Sequence, residues 1–283
     1  MFDIGYTRPE SLDEALDFLV EKGKETALLA GGTDIVVDLK SGDLQKKHLL
    51  DVSRLKELKG IEMTDEGLSV GAAVTLSEIC SSETLARYAP ALKKCAYTFA
   101  GKQIRNVATI GGNVAHCSPC GDTVPPLVIH EAEAVLANKN GQRKAPVEQI
   151  ASGPYTCSLP TEEIIVRFIL KPAHDMDFAD FRKIGRRKEL AISRISMAAM
   201  LRRDPDGRVA FMRFSLGSCT PIIQRFEEVE AHFMGKTPTE PLLWEAGKML
   251  TDHMFAITGR RSSAVYKEPA IQGLFVRMLH PLV

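Results

Sequence analysis

The chain has 283 residues, of which 45% are apolar and 25% are charged, and its formal net charge is zero. A chain of this length favours two domains, or one domain with a subdivided first half. The balanced charge gives no support for a basic nucleic-acid-binding protein or an acidic disordered tail, and the composition is that of an ordinary soluble globular protein.

The N-terminal segment shows no targeting signal. Residues 1–8 lack the basic region and the apolar run of a secretory signal peptide. The sequence contains no apolar stretch long enough to span a bilayer. We therefore predict a cytoplasmic protein without a membrane or nucleic-acid partner.

Helix and strand signals alternate in the first part of the chain. A capping box at Ser11–Glu14 opens a helix with apolar residues at helical spacing, and Gly23 is expected to close it. Residues 26–30 are predicted to form a buried strand that runs into a glycine turn. A short amphipathic helix is expected at 35–42 and another strand at 48–53.

Two hairpin signals flank a helical region in the middle of the chain. Residues 60–72 predict the first hairpin, and a capping box at Thr75–Glu78 opens helical structure that continues towards Phe99. Asn140-Gly141 predicts the second hairpin. A strand is then expected at 162–170.

The last third of the chain has a different pattern. Lys171-Pro172-Ala173 ends the preceding strand and marks the predicted domain boundary. Strands at 177–185, 195–204 and 208–218 predict an antiparallel meander, and the pattern is helical from Pro221 onward. Strands followed by helices indicate an α+β domain.

Two glycine turns are the candidate binding elements. They lie at residues 30–34 and 109–113, and each follows an apolar run that we expect to be a buried strand. Backbone N–H groups in such a turn can bind an anion, and glycine permits close approach. Neither G-x-G-x-x-G nor a phosphate-binding Gly-Lys-Ser/Thr loop is present. The hypothesis is that the two turns hold the diphosphate of a dinucleotide from two sides.

The cysteines leave an alternative open. Four of the six are interpreted as small buried residues in a reducing compartment: Cys80, Cys95, Cys157 and Cys219. Cys117 and Cys120 have the spacing of a redox-active or metal-binding pair. Zinc requires four ligands and only His116 is adjacent in sequence, so we favour two small residues that fill the loop and predict no metal site.

Four segments of the chain are similar to one protein family. Residues 28–40, 99–122, 181–198 and 265–279 resemble the FAD-binding subunits of molybdenum hydroxylases, which are the flavoproteins of xanthine, nicotinate and carbon monoxide dehydrogenases. The resemblance covers the whole chain in the same order and spacing. The two glycine motifs together are its most specific part.

The resemblance implies an α+β fold. A vanillyl-alcohol-oxidase (PCMH) type FAD-binding domain is expected at 1–172, with subdomains at about 1–55 and 56–172. A C-terminal α+β domain of antiparallel sheet and helices is expected at 173–283. FAD is expected to lie extended between the subdomains without a covalent bond, although His116 could be considered an attachment point by comparison with distant relatives of the fold.

The resemblance also implies an electron-transfer role. Electrons would leave a molybdopterin centre in a large partner subunit, cross iron–sulfur clusters in a small partner, and pass through FAD to NAD⁺ or another acceptor. The complex would hydroxylate a purine or another N-heterocycle, and no catalytic side chain is expected on this chain. Two alternatives stay open, a stand-alone flavin oxidase or reductase and a flavin-free accessory protein.

The resemblance assigns cofactor contacts residue by residue. The first turn is matched by Leu28, Leu29, Ala30, Gly31, Gly32, Thr33, Asp34 and Ile35. The second turn is matched by Thr109, Gly112 and Asn113. Phe99 is matched to the flavin region, Asp122 to the ribose or adenine side, and Ile165 to an apolar contact. Lys183 is matched to a cation near the isoalloxazine, where it would favour the reduced, anionic ring.

Other interpretations of three of these residues do not involve a cofactor. Phe99 ends an apolar run and could belong to the core. Asp122 could cap the helix that follows it. Lys183 lies in a basic cluster that could be a solvated face or a docking patch. Many relatives have Asp-Ile-Ala where this chain has Ala191-Ile192-Ser193. Any role of the aspartate in those relatives is therefore unfilled in this chain.

Overall fold

The computed structural model describes residues 3–283, so the first two residues of the N-terminal segment considered above lie outside the described part. The strands are β1 (Gly5–Thr7), β2 (Thr26–Leu29), β3 (His48–Asp51), β4 (Ile61–Thr64), β5 (Gly67–Gly71), β6 (Glu133–Asn138), β7 (Gly141–Pro146), β8 (Ala151–Gly153), β9 (Thr156–Cys157), β10 (Ile164–Leu170), β11 (Phe178–Gly185), β12 (Ser193–Arg203), β13 (Val209–Gly217) and β14 (Gln224–Arg225).

The helices surround four sheets. They are α1 (Leu12–Lys22), α2 (Ile35–Ser41), α3 (Leu76–Ser81), α4 (Glu83–Tyr88), α5 (Pro90–Thr98), α6 (Lys102–Arg105), α7 (Ile110–Ala115), α8 (Val124–Ile129), α9 (Glu227–Phe233), α10 (Glu240–Thr258) and α11 (Ala264–Leu279). Within residues 3–283, these helices include none with the length and apolar character needed to cross a membrane.

The first sheet is parallel, with the strand order β1-β3-β2. Ser11 caps α1 by accepting the N–H of Glu14 at 3.2 Å, as predicted. Gly23 ends this helix in a right-handed conformation, with φ of −54°, and a 3-10 turn follows. The prediction that 26–30 is buried is wrong, because β2 borders an open groove and Leu28 is 38% exposed.

The second sheet has five antiparallel strands in the order β4-β5-β10-β6-β7. The hairpin predicted at 60–72 is confirmed as β4 and β5. The second hairpin is also confirmed, but its turn is at 139–140, because Gly141 has φ of +133° and begins β7. The predicted helical region between the hairpins consists of short helices, and α3 begins with the predicted capping box.

One apolar core is shared by these two sheets. It includes Leu19 of α1, Leu68 of β5 and Phe168 of β10, all of which are almost completely buried. Because this core contains residues from both predicted subdomains, their division near residue 55 stays a prediction. The domain boundary at 172–173 also stays a prediction.

The last third of the chain forms the predicted α+β unit. Its antiparallel sheet has the order β11-β12-β13-β14, and α9, α10 and α11 pack on it. Phe214 of β13 lies at the centre of the unit, with its ring centroid 5.1 Å from that of Phe275 in α11. This unit therefore has its own aromatic core.

A small apolar cluster joins the C-terminal sheet to the rest of the molecule. Phe181 of β11 and Met200 of β12 pack with three residues of the preceding helices: Ala91 and Cys95 of α5, and Ile129 of α8. The start of the C-terminal unit thus lies against α5 and α8. This contact brings side chains of β11 close to the segment that follows the second glycine turn.

His130, which follows α8, is buried in its neutral form. Its Nδ1 donates to the Lys171 carbonyl at 2.6 Å, and its Nε2 is buried without a hydrogen-bond partner among residues 3–283. Burial lowers the pKa of His130 below its ordinary value of 6.5. Below pH 6.5 the unfolded chain binds a proton at this residue before the folded chain does, so stability falls as the pH drops towards the folded pKa.

We expect His130→Gln to flatten this pH dependence, because glutamine can donate to the same carbonyl and carries no titrating group. Below pH 6.5, the buried histidine can lower the free energy of unfolding of the wild type by up to about 1.4 kcal/mol for each pH unit. The measurement is urea unfolding between pH 7.5 and 5.5. His280→Gln, at an exposed position, is the control. Equal slopes for the wild type and the His130 variant would contradict this account.

Candidate functional site

The first glycine turn leaves its backbone donors free. Strand β2 ends at Leu29, the turn occupies residues 31–34, and α2 begins at Ile35. The backbone N–H groups of the four turn residues have no acceptor within the described chain. Consecutive free N–H groups form a concave donor surface that binds anions.

Glycine is required at both of its positions in this turn, for different reasons. A Cβ on Gly31 would lie 2.1 Å from the carbonyl oxygen of Val107, so the turn touches the backbone that leads to the second turn. Gly32 has φ of +72°, a left-handed conformation that side chains disfavour. The first glycine thus permits contact between the two turns, and the second permits the bend.

The second glycine turn is the start of a helix, and its N–H groups are used within the protein. Thr109 caps α7 with its side chain. The N–H of Ile110 donates to the Val74 carbonyl at 3.0 Å. The N–H of Gly111 donates to the Ala72 carbonyl at 2.8 Å, and a Cβ on Gly111 would lie 2.7 Å from that oxygen.

The prediction that a buried strand precedes the second turn is wrong. The second turn follows α6 and a short extended segment, whose contact with a neighbouring chain segment is a single bridge between Thr109 and Thr75. The N–H groups of Ile110 and Gly111 are paired with the segment after β5, which ties this turn to the second sheet. The first turn is the one whose four N–H groups are all free, and the hypothesis that both turns hold a diphosphate stays a prediction.

The two turns border a long open space, which we call the turn groove. It has a volume of about 760 Å³ and is lined by β2, both turns, α2 and α7. An apolar side pocket of about 200 Å³ adjoins it. The two cavities share Leu28, Ala30, Gly112, Ala115 and Cys157.

Most of the predicted cofactor contacts line these cavities. The turn groove is lined by Leu28, Ala30, Gly31, Gly32, Thr33, Asp34, Ile35, Phe99, Thr109, Gly112 and Asn113. Ile165 lines the side pocket. The remaining three residues line neither cavity: Leu29, Asp122 and Lys183.

Two further aromatic side chains line the turn groove. Tyr155, in the tight turn between β8 and β9, lies edge to face with His116 at a centroid distance of 5.3 Å. The Nε2 atom of His116 is 3.7 Å from a carboxylate oxygen of Asp34. Sequence analysis does not identify Tyr155, although Gly153-Pro154 is a turn signal directly before it.

The charged side chains of the turn groove carry a net negative charge. Three carboxylates line it: Asp34, Asp38 and Asp43. The lysine that lines it, Lys46, donates its ammonium group to the Lys24 carbonyl at 2.7 Å. The free N–H groups of residues 31–34 are therefore the main candidate donors for a phosphate.

Asn113 connects the turn groove to a buried polar cluster. Its Oδ1 accepts the hydroxyl of Thr123 at 2.7 Å and the N–H of Thr123 at 3.2 Å. Its Nδ2 hydrogens have no acceptor in the described residues, so they are available to a ligand in the groove. Thr123 is the neighbour of Asp122, which anchors the cluster.

Asp122 and Lys183 form a buried ion pair with a carboxylate–ammonium distance of 2.7 Å and side chains 6% and 9% exposed. The other carboxylate oxygen of Asp122 accepts the Ser193 hydroxyl, and its backbone carbonyl accepts the Cys95 thiol at 3.0 Å. Burial and the nearby carboxylate raise the pKa of Cys95 well above its usual value. The resemblance assigns Asp122 and Lys183 to different parts of the cofactor, and the structure places the two side chains in direct contact.

The structure tests the interpretations of Asp122, Lys183 and Phe99 that involve no cofactor. Thr123, not Asp122, holds the N-cap position of α8. Lys183 is buried, so it belongs to no solvated face. Phe99 is half-buried and touches the core while it also lines the turn groove. The roles of Asp122 and Lys183 as cofactor contacts stay predictions.

All six cysteines are free thiols, and their arrangement differs from the one their spacing suggests. The cysteine beside Cys117 is Cys157, which pairs with Ala151 next to the Ile150 carbonyl that the Cys117 sulfur contacts. The interpretation of Cys157 as a buried residue is wrong, because it is exposed on the two-residue strand β9. Cys80 is half-buried. Within residues 3–283 there is no group of three or more side chains that could hold a metal ion.

The fold and the groove define a class of protein. A glycine turn with free N–H groups, beside a long groove between a parallel and an antiparallel sheet, suits an extended ligand that carries phosphates. The class is that of α+β proteins with a groove for an extended, phosphate-bearing ligand and an additional C-terminal α+β domain.

Comparisons with known proteins identify the family. Residues 2–172 match the family described as the FAD binding domain in molybdopterin dehydrogenase, and residues 180–282 match the CO dehydrogenase flavoprotein C-terminal domain. The chain belongs to the family of FAD-binding subunits of molybdenum hydroxylases.

Individual relatives agree with this assignment. The chain is 33% identical over 234 residues to the xanthine dehydrogenase FAD-binding subunit of Escherichia coli, which covers 81% of this chain and 79% of that protein. It is 27% identical over 282 residues to the nicotinate dehydrogenase FAD-subunit of Eubacterium barkeri. That match covers 98% of this chain and 95% of that protein. The structure of carbon monoxide dehydrogenase from Hydrogenophaga pseudoflava matches with a TM-score of 0.89 and 28% identity. The match covers 98% of this chain and 96% of that chain. The predicted family, fold class and FAD cofactor are confirmed, and the chain is an oxidoreductase subunit.

Proposed function

We propose that this chain carries FAD in the turn groove and passes electrons from iron–sulfur clusters of a small partner subunit to NAD⁺ or another acceptor. A large molybdopterin-binding subunit would hydroxylate a purine or another N-heterocycle, since the relatives named for xanthine and nicotinate act on such rings. The observation that carries the proposal is the row of free N–H groups at residues 31–34 beside a groove in a chain of this family.

The residues of the groove fit the parts of FAD. The N–H groups of residues 31–34 would hold the diphosphate, and the Nδ2 group of Asn113 would add a donor. Phe99 offers an aromatic face in the turn groove, and Ile165 is part of the apolar wall of the side pocket. When bound, FAD supplies reversible one- and two-electron transfer.

The protein's contribution is to bind and orient this group. The buried pair of Asp122 and Lys183 lies next to Thr123, which fixes Asn113, so it positions one of the proposed donors. The proposal requires no proton transfer by a side chain of this chain. The six free thiols support a cytoplasmic location, because a reducing compartment preserves them.

The test is purification of the chain from its native source under mild conditions, followed by identification of co-purifying chains and released cofactors. We expect about one FAD per chain, because the proposal places a single FAD in the turn groove. We also expect FAD to be released by acid precipitation, because His116 forms no covalent bond to it. Two partner chains should co-elute, one with molybdopterin and one with iron–sulfur clusters.

Other outcomes would identify the alternatives. Full turnover by the isolated chain, without any partner, would indicate a stand-alone oxidase or reductase. A colourless chain that cannot take up added FAD would indicate an accessory protein. Reduction of NAD⁺ by the purified complex, compared with reduction of an artificial dye, would test the proposed acceptor.

A further inference from the structure

Two thiols lie together where the turn groove meets the side pocket. Cys157 is exposed and lines both cavities. Cys117 is 6% exposed, and its sulfur lies 3.7 Å from the carbonyl oxygen of Ile150. Cys157 pairs with Ala151, the neighbour of Ile150, so the two cysteines meet at the base of the β8–β9 hairpin. One sulfur is thus open to small molecules, and a second is held beside it.

The backbone sets this juxtaposition. The N–H of Tyr155, at the tip of the β8–β9 hairpin, donates to the carbonyl of Cys117 at 2.9 Å. Ala151, which follows the residue that contacts the Cys117 sulfur, pairs with Cys157 across the hairpin. The base of the hairpin therefore closes around the Cys117 side chain.

The environments of the two thiols give them different reactivities. The interaction with the Cys117 thiol lowers the pKa of Cys157, and the interaction with Cys157 together with burial raises the pKa of Cys117. The thiolate is the nucleophilic form of cysteine. Cys157 is therefore the thiol that reacts first, and Cys117 is placed to react with the product.

We propose that Cys157 and Cys117 form an oxidation site for hydroperoxides in the wall of the turn groove. The Cys157 thiolate attacks the terminal peroxide oxygen, the O–O bond breaks, and the leaving oxygen takes a proton to become water or an alcohol. Cys157 is then a sulfenic acid. Cys117 attacks its sulfur, the S–O bond breaks, and the released hydroxide takes the Cys117 proton to leave as water. The peroxide gains two electrons and the two thiols lose two.

The product is a disulfide between a groove wall and a short edge strand. It requires the sulfurs to approach to about 2.05 Å, and β9, a two-residue strand, can move without disturbing a larger sheet. One consequence rests on the proposed function: FAD bound in the turn groove covers Cys157 and slows its oxidation.

The experiment uses the full chain, freed of reductant and treated with hydrogen peroxide in the presence and absence of saturating FAD. Free thiols are then blocked with N-ethylmaleimide, and the digested protein is analysed by mass spectrometry. We expect a Cys117–Cys157 cross-linked peptide, with Cys157 consumed about tenfold faster than the half-buried Cys80. Added FAD should slow the reaction.

Variants separate the two chemical steps. Cys117→Ser should leave a sulfenic acid on Cys157 that dimedone traps, and Cys157→Ser, a change at an exposed position, should abolish the cross-link without loss of thermal stability. Cys120→Ser is the matched control from the same loop and should behave like the wild type. Absence of the cross-link, or a Cys117–Cys120 cross-link in its place, would overturn the proposal. If the cross-link forms equally fast with FAD, the oxidation site stands and the placement of FAD beside Cys157 fails.

Discussion

Gly31→Ala is expected to lower FAD affinity by about 100-fold or more. The new methyl group would lie 2.1 Å from the carbonyl oxygen of Val107, and neither backbone can yield without moving the turn. Two N–H donors displaced from a charged phosphate cost about 1.5 kcal/mol each at the least, and 1.4 kcal/mol is tenfold in affinity. The measurement is titration of the cofactor-free chain with FAD, followed by flavin fluorescence.

The same substitution at a glycine without such contacts is the control. Gly273 lies inside α11, and a Cβ there would meet no atom within 4 Å. Gly273→Ala should leave FAD affinity unchanged and raise helix stability by about 0.5–1 kcal/mol. The comparison separates the effect of the clash at Gly31 from a general effect of added methyl groups.

A milder variant guards against simple misfolding. Gly32→Ala keeps the contact between the turns but forces a side chain into φ of +72°, at a cost of about 1–2 kcal/mol. We expect it to weaken FAD binding while the circular dichroism spectrum stays that of the wild type. If both variants fold and bind FAD as tightly as the wild type, the first turn does not hold the diphosphate.

The sequence predicted best those elements whose causes are local. The capping box at Thr75 and the hairpins β4–β5 and β6–β7 depend on residues within a few positions of each other, and the structure confirms them. At Ser11 only the serine cap forms, because the Glu14 carboxylate accepts the N–H of Glu10. The strand order β4-β5-β10-β6-β7 depends on pairing between distant segments. Local patterns do not encode such pairing, so that order could not be read from the sequence.

The second glycine turn illustrates the same limit at the candidate site. The sequence shows Gly111-Gly112 after an apolar run, as it shows Gly31-Gly32, so the two motifs appear equivalent. Their difference arises from carbonyl groups at Ala72 and Val74, which take the N–H groups of the second turn. Which of two similar turns keeps its donors free is decided by distant residues.

The predictions for the cysteines and for the buried ion pair were wrong or incomplete for a related reason. Cys117 has the spacing of a pair with Cys120, but the hairpin β8–β9 brings Cys157 to it instead. The resemblance marked Asp122 and Lys183 separately, and their contact appears only when β11 packs against α5 and α8. The match of a residue to a position in the family can be read from the sequence. The side chain that this residue contacts can be read only from the structure.

Lys183→Met is expected to destabilise the protein by about 3–5 kcal/mol, because it leaves the buried carboxylate of Asp122 without its cation. The Ser193 hydroxyl alone cannot compensate a charge that is 6% exposed. The measurement is the free energy of unfolding from urea titration at pH 7. FAD affinity should also fall, since Thr123, next to Asp122, fixes the Asn113 side chain.

Two comparisons test whether the loss comes from the unpaired charge. The double variant Lys183→Met with Asp122→Leu removes both charges and should recover most of the stability, because replacing a buried ion pair by apolar side chains is often neutral. Lys144→Met breaks an exposed pair with Glu66 and should cost less than about 1 kcal/mol. A double variant as unstable as Lys183→Met would show that the lysine acts by packing. If the double variant is stable but still binds FAD weakly, the pair positions the groove as well as holding the two parts of the chain together.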